Sequence, residues 1–264
     1  MTVPFTITQI ASLVLAGFVA GVMNSIAGGG TMVTFPTLIL IGFPSIPANA
    51  TNTVALLPGI LSSVVGYRKN IHSIYRWLKL FAPVSLLGGL TGGILLVQTP
   101  SRLFDSFVPF LILFATILFM VQGILGRVLR LRGESAQGRL QSRRWIFGAV
   151  MFQFAVALYG GYFGAGIGIL MLASLGMLGF ENVHEMNTLK VMLALLINVV
   201  AAGYFIWSGL IDWAAVGIMM VGTVAGGYTG AHFAQKVPQR IVRTLISGIG
   251  LIISAVMFYK TFLS

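Results

Sequence analysis

Along this chain, long apolar runs alternate with short polar breaks. Four such runs, Ile7 to Ile26, Ala48 to Tyr67, Leu78 to Val97 and Leu103 to Gly126, lie in the first half, and four more, Trp145 to Gly160, Met186 to Ser208, Asp212 to Ala234 and Ile241 to Phe262, in the second. A bilayer core of about 30 Å asks for roughly 20 apolar residues per helix, so the pattern predicts eight membrane-spanning helices. Between the first and second run of each half lie two shorter ones, Met32 to Phe43 and Ile167 to Phe180. At about 1.5 Å per residue they reach only about 20 Å, which predicts half-helices or re-entrant segments.

The short runs belong to a passage that is written twice, from Gly17 to Gly59 and from Tyr159 to Asn198. In each copy a long apolar run stops at a glycine cluster, a short apolar run follows, and an Asn-Thr pair opens the next long run. The duplication goes further: Gly88, Gly92, Pro100 and Arg102 find partners at Gly226, Gly230, Pro238 and Arg240, all at one constant spacing. The expected fold is an all-α integral membrane protein of two homologous repeats, each with four long transmembrane helices and one short one. Residues 1–126 form the first repeat, 127–144 a basic linker and 145–264 the second. Interrupted hydrophobic segments at matching positions point to a transporter binding site, because lipid tolerates broken backbone only where protein or a water-filled cavity satisfies its polar groups.

Composition supports the membrane reading. The chain is 57% hydrophobic and 8% charged, with a mean hydropathy of +0.97, too little polar surface to coat a soluble globule of this size. The run from Phe5 to Ile26 lacks a basic flank on its N-terminal side and enters the first repeat, so it is expected to be a retained span, not a cleaved signal. With no cysteine, disulfides, thiolate metal sites and cysteine nucleophiles are excluded. The net charge of +11 would suggest nucleic acid in a soluble protein, but most of these residues flank spans, where they signal topology and meet anionic headgroups.

If each short run completes a crossing, each half has five passes and the repeats are inverted, with thirteen Lys and Arg on the inside against two outside. If the short runs dip and return, the repeats are parallel and the split is eleven to four. The positive-inside rule favours the inverted arrangement, with both termini outside and the basic linker in the cytoplasm.

The candidate chemistry lies at the breaks. Gly28, Gly29, Gly30 and Thr31, with Gly164, Ala165 and Gly166 as counterparts, free backbone amides for close approach. A helix starting just after such a cluster aims unpaired N–H groups and its positive dipole end into the break. Beside them stand Asn49, Thr51, Asn52 and Thr53 in the first half, and Asn187, Thr188 and Lys190 in the second. These polar residues either cap the following helices or lend donors to one oxyanion, which Asn24 would join; Asn198 lies deeper in its helix. Lys190 is the sharpest of them, since an ammonium in an apolar helix faces a partner or an aqueous path; snorkelling, or pairing with Glu181 or Glu185, is the alternative.

No catalytic motif is visible. His184-Glu185 lacks the second histidine of a zinc protease helix, and there is no nucleophile elbow, P-loop or carboxylate cluster. Neither enzyme activity nor a cofactor is therefore expected. Five acidic residues in all equip the chain poorly for cations and favour an anion as cargo.

These features resemble the TauE/SafE sulfite exporter family: the Gly28 to Gly30 cluster followed by Pro36, Gly42 and Pro44, the Asn49 to Thr53 segment, Pro58-Gly59, the Gly160 to Gly168 cluster, Asn187-Thr188 and the Gly222 to Pro238 stretch. Ala165 departs from an unbroken glycine run, which makes the two half-sites unequal. The resemblance implies a multi-pass protein of the cell membrane, in bacteria the inner membrane, that moves a small anion such as sulfite or an organosulfonate. The expected substrate-binding set is Asn24, Gly28, Gly29, Gly30, Thr31, Asn52, Gly164, Ala165, Gly166, Asn187 and Lys190. A non-transporting membrane partner subunit and a membrane enzyme are the competing classes. The first would show glycine breaks packed shut.

Overall fold

A computed structural model describes residues 5–26, 29–67, 71–133, 143–180, 182–233 and 239–262 of the chain. These residues form ten helices and no strand: α1 (Ile7–Ile26), α2 (Thr31–Leu40), α3 (Ser45–Tyr67), α4 (Ile71–Gln98), α5 (Ser101–Gly133), α6 (Arg143–Tyr162), α7 (Ile167–Leu178), α8 (Val183–Trp207), α9 (Trp213–Phe233) and α10 (Gln239–Phe262). Each half thus holds four long helices and one short one, as the hydrophobic pattern predicts. Six of the long helices, α1, α3, α4, α5, α6 and α8, are long and apolar enough to cross a membrane. In α9 five glycines dilute the apolar content, and the apolar stretch of α10 among the described residues is the shorter Ser247–Tyr259.

Helix ends depart from the apolar runs where polar residues continue a helix. α4 begins at Ile71, two turns before Leu78, in a segment where Arg76 lies over the Trp77 ring at 5.7 Å and Lys79 over the Tyr75 ring at 4.6 Å. Such amphipathic pairs suit the headgroup layer. α5 runs on to Gly133, so part of the expected basic linker is helix; positions 134–142 lie outside the described residues. Both short helices end alike. Gly42 and Gly179 adopt φ of +101° and +97°, and the next amides, Phe43 and Phe180, donate to Leu38 and Leu175 at 3.0 and 3.2 Å. This is the Schellman closure, and it stops each helix well short of a bilayer's width.

Large apolar side chains such as Leu15, Leu87, Phe110, Val221 and Ile252 are exposed, as expected of surfaces that meet lipid. The interior is held by two glycine seams. Along α1 and α9, a Cβ at Gly226 would overlap the Phe18 carbonyl, one at Gly21 the Thr223 carbonyl, and one at Gly222 the Val14 carbonyl. Along α4 and α6, Gly92 faces the Leu158 carbonyl and Gly161 the Gly89 carbonyl in the same way. Without a hydrophobic force between helices in lipid, such backbone contact is what binds them. Buried cross-helix hydrogen bonds add to it, with Gln153 Nε2 donating to Ser85 Oγ at 2.9 Å and Ser254 Oγ to the Pro109 carbonyl at 3.1 Å.

Residue pairing also gives helix directions. As numbers rise along α1 from Val14 to Gly21 they rise along α9 from Gly222 to Gly227, so these helices are parallel. α4 is parallel to α6, through Gly88 with Phe154 and Gly92 with Leu158, and to α8, through Gly89 with Ile197 and Gly93 with Ala201. α5 and α10 are antiparallel, with Phe110 against Phe258 and Thr116 against Gly250.

The seams make a direct prediction. Gly226→Ala drives a methyl into backbone and lowers stability by about 1–3 kcal/mol, whereas Gly217→Ala, on the same helix with nothing within 4 Å of its Cβ, changes it little. Thermal melts of the two variants in detergent are the check.

Candidate functional site

The first break lies between α1 and α2. Asn24 Oδ1 accepts the Gly30 N–H at 2.9 Å and closes the chain over the gap. Gly29 sits at φ +95°, and a Cβ there would overlap the Phe119 ring of α5, so both backbone and space demand glycine. The second break, between α6 and α7, is closed differently. The Phe163 and Gly164 amides both donate to the Tyr159 carbonyl, at 2.9 and 3.1 Å, while the Tyr159 hydroxyl donates to the Ala165 carbonyl at 2.8 Å. Gly166, at φ +80°, then starts α7 against Leu118 and Ala115. One face of α5 therefore backs both breaks.

Between them lies a cavity of about 110 Å³. Asn24, Gly29 and Thr31 line it from the first break, and Phe163, Gly164, Gly166 and the first turn of α7 from the second. Its remaining walls are one face of α3, with Thr53, Leu56, Ile60 and Ser63, and one face of α8, with Lys190, Val191, Ala194 and Asn198. Two helix starts thus open on one small space, and each brings the positive end of its dipole. Lys190 is the one charged residue among those lining it. The stem of this lysine lies over Gly168, where a Cβ would stand 3.2 Å from Cδ, and Nζ donates to Asn187 Oδ1 at 3.1 Å. The Thr53 and Ser63 hydroxyls donate to carbonyls of their own helix, Asn49 at 2.9 Å and Gly59 at 3.1 Å, so their lone pairs are what they can turn outward.

Of the residues expected from the sequence, Asn24, Gly29, Thr31, Gly164, Gly166 and Lys190 meet at this cavity. Gly28 lies outside the described residues. Gly30 is one step behind, its amide held by Asn24, and Ala165 is buried in the core with its carbonyl held by Tyr159. Asn187 is not among the lining residues but holds Lys190, which is. Asn52, 1% exposed, is off the cavity wall and accepts the Thr34 hydroxyl of α2.

The polar motifs do not cap helices either, because α3 begins at Ser45, and α8 at Val183 after Asn182, whose side chain accepts from His184 N at 2.9 Å. The motifs sit a turn deeper and brace neighbours. Asn49 Nδ2 donates to the Tyr162 carbonyl at 2.9 Å, and Thr51 Oγ1 accepts from Asp212 N at 3.1 Å. Phe163, Leu56, Ile60 and Ser63 were not legible as lining residues, although Thr53, Leu56, Ile60 and Ser63 share one face at helical spacing.

Fold and cavity together define a multi-pass membrane protein with a small cavity opened at two broken helices, the architecture of a transporter. The chain belongs to the TauE/SafE family, since the profile described as "Sulfite exporter TauE/SafE" matches residues 13–257. It is 29% identical to a probable membrane transporter protein of Haemophilus influenzae over 96% of both chains. To a probable membrane transporter protein, ORF9, of a Sinorhizobium species it is 27% identical over 90% of this chain and 87% of that one. To the probable membrane transporter protein YfcA of Escherichia coli K12 it is 26% identical over 94% of this chain and 89% of that one. No solved structure matches. The protein is a membrane transporter, in line with the class expected from its sequence and not an enzyme.

The two breaks differ in what a side chain would meet. Gly166→Ala incurs about 1–2 kcal/mol of left-handed backbone strain against a Leu118 methyl that can yield at 3.3 Å. Gly29→Ala adds overlap with the Phe119 ring and is expected to melt at a clearly lower temperature than Gly166→Ala. Equal melting temperatures would contradict the packing described.

Proposed function

We propose that the protein carries a small sulfur oxyanion, sulfite or a related sulfonate, held in the cavity between the starts of α2 and α7. The observation that carries this reading is the convergence of two helix starts and Lys190 on one cavity without an acidic residue in its lining. The Thr31 and Ile167 backbone amides and the Asn24 Nδ2 group would replace the anion's water. Lys190, drawn off Asn187, would balance its charge. The breaks are not packed shut, which favours transport over a non-transporting partner subunit.

Helix directions support an inverted pair of repeats. α1 is parallel to α9 while α6 is parallel to α4, and the tight turns after α4 and α8 reverse the chain. With α4, α6 and α8 sharing one direction, α7 has to return the chain between α6 and α8, so the short helices count as passes and each half has five. The thirteen-to-two division of Lys and Arg then sets both termini outside.

The bodies that move are not the sequence halves. α1 of the first half is zipped to α9 of the second, and α4 to α6. Thr223 of α9 also donates to the Ala55 carbonyl of α3 at 3.3 Å. We infer two exchanged bundles, α1–α3–α9 and α4–α6–α8, that rock about α3 and α8 and open the cavity to each side in turn. An inside-negative potential contributes about 2.3 kcal/mol per net negative charge moved per 100 mV toward expulsion, which gives export a direction wherever the cargo crosses with net negative charge.

Lys190→Met keeps the stem and removes the charge. A charged hydrogen bond is worth about 1.5–3 kcal/mol, so KM for sulfite flux in proteoliposomes rises roughly tenfold or more, while Lys190→Arg retains most of the flux. Unchanged KM in Lys190→Met removes the lysine from the mechanism.

A further inference from the structure

Asn49 and Asn52 in α3 are spaced as Asn187 and Lys190 are in α8, and the interval between the two pairs is the one that relates Gly88 to Gly226. In α8 the pair closes on itself, with Lys190 Nζ donating to Asn187 Oδ1 at 3.1 Å. In α3 the lysine's place is taken by an amide whose oxygen accepts from Thr34. The Thr34 hydroxyl has one hydrogen to give, yet it also lies 3.0 Å from the Gly30 carbonyl. Asn49 is 1% exposed, its Nδ2 is committed to the Tyr162 carbonyl at 2.9 Å, and its Oδ1 is sealed without a hydrogen-bond partner among the described residues. A buried acceptor without a donor is destabilising. This one matches, atom for atom, the oxygen that holds an ammonium in the other half.

We propose that the first half-site binds a small monovalent cation at Asn49 Oδ1, with the oxygen of Asn52, one turn on, and the Tyr162 carbonyl that Asn49 already holds as its further donors. The cation stands in for the Lys190 ammonium of the second half-site and accompanies the anion. Neutral oxygens are the donors available. They suit sodium or potassium, and a divalent ion would call for carboxylates, of which no metal-holding cluster occurs among the described residues. The Tyr162 carbonyl belongs to the last turn of α6, and broken-helix carbonyls are the groups that hold alkali cations in transporters. The site abuts the cavity: Thr53, one turn beyond Asn49, and Phe163, next after Tyr162, both line it. Because Asn49 Oδ1 is sealed in this conformation, a cation reaches it only when that wall shifts, which ties loading to the movement of the bundles. The proposal rests on the anion-transport reading for the claim that cation and anion travel together, and not for the cation site itself.

The test is thermal melting of the purified full chain in NaCl, KCl and choline chloride at equal ionic strength. The expected result is a concentration-dependent rise of several degrees in NaCl or KCl over choline chloride, the effective salt naming the ion. Asn49→Ala abolishes the difference, and so does Asn52→Lys, which supplies the ammonium and holds its melting temperature in choline chloride. Equal melting of the native chain in all three salts, or a cation effect that survives in Asn49→Ala, overturns the site. In proteoliposomes, sulfite flux falls at least fivefold when the effective cation is replaced by choline, and Asn52→Lys removes that dependence. Flux indifferent to the cation overturns the coupling. Cation-dependent melting with no sulfite flux at all instead overturns the anion reading and leaves the cation site standing.

Discussion

A backbone amide or carbonyl without a partner costs several kcal/mol in hydrocarbon, and both chain breaks are built around that constraint. The chain breaks twice inside its membrane region, after α1 and after α6. Each break is sutured by one side chain reaching back to the backbone, Asn24 to the Gly30 amide and Tyr159 to the Ala165 carbonyl. The broken chain is then covered on one side by Ala115, Leu118 and Phe119 of α5. Thr31 at the start of α2 and Ile167 at the start of α7 line the cavity, while the Met32, Val33 and Ile169 amides already bond to carbonyls of their own turns. The proposed anion would satisfy the Thr31 and Ile167 amides, so the groups that make the breaks costly in lipid are also the ones that recognise cargo.

Glycine does two separate jobs in this architecture. At Gly29 and Gly166 it allows backbone angles that turn the chain into a new helix. Along α1, α4, α6 and α9 it removes side chains so that backbones touch. The second use fixes which helices travel together, because a seam of backbone contacts resists separation better than interdigitated side chains in a solvent as apolar as they are. The two seams each join one half of the chain to the other, so the proposed moving bodies are exchanged relative to the sequence halves.

Much of the fold was legible because membrane helices advertise themselves. The apolar runs and their glycine interruptions place α1 through α10 to within a few residues, except where Arg76, Lys79 and the positions up to Gly133 carry α4 and α5 past the apolar stretch. The cavity was half legible. Gly29, Gly164, Gly166 and Lys190 stand out because they break a local rule, a glycine in an apolar run or a charge in a helix, and Thr31 because it adjoins the first glycine cluster. Leu56, Ile60 and Val191 break none, so only three-dimensional proximity reveals them as lining. Asn52, a polar residue beside a glycine break, is expected from the sequence at the cavity but is not among its lining residues. The start of α3 at Ser45 instead turns it inward, onto Thr34. The support that α5 gives to both breaks rests on contacts remote in sequence and has no local signal at all.

Selenite is a heavier stand-in for sulfite, and selenium scatters anomalously. A structure of the protein with selenite, read for anomalous density, tests the central claim most directly. The account predicts a single peak between the first turns of α2 and α7, within hydrogen-bonding reach of the Thr31 and Ile167 amides and of Lys190. A peak elsewhere, or none in protein shown to move selenite across a bilayer, would contradict it.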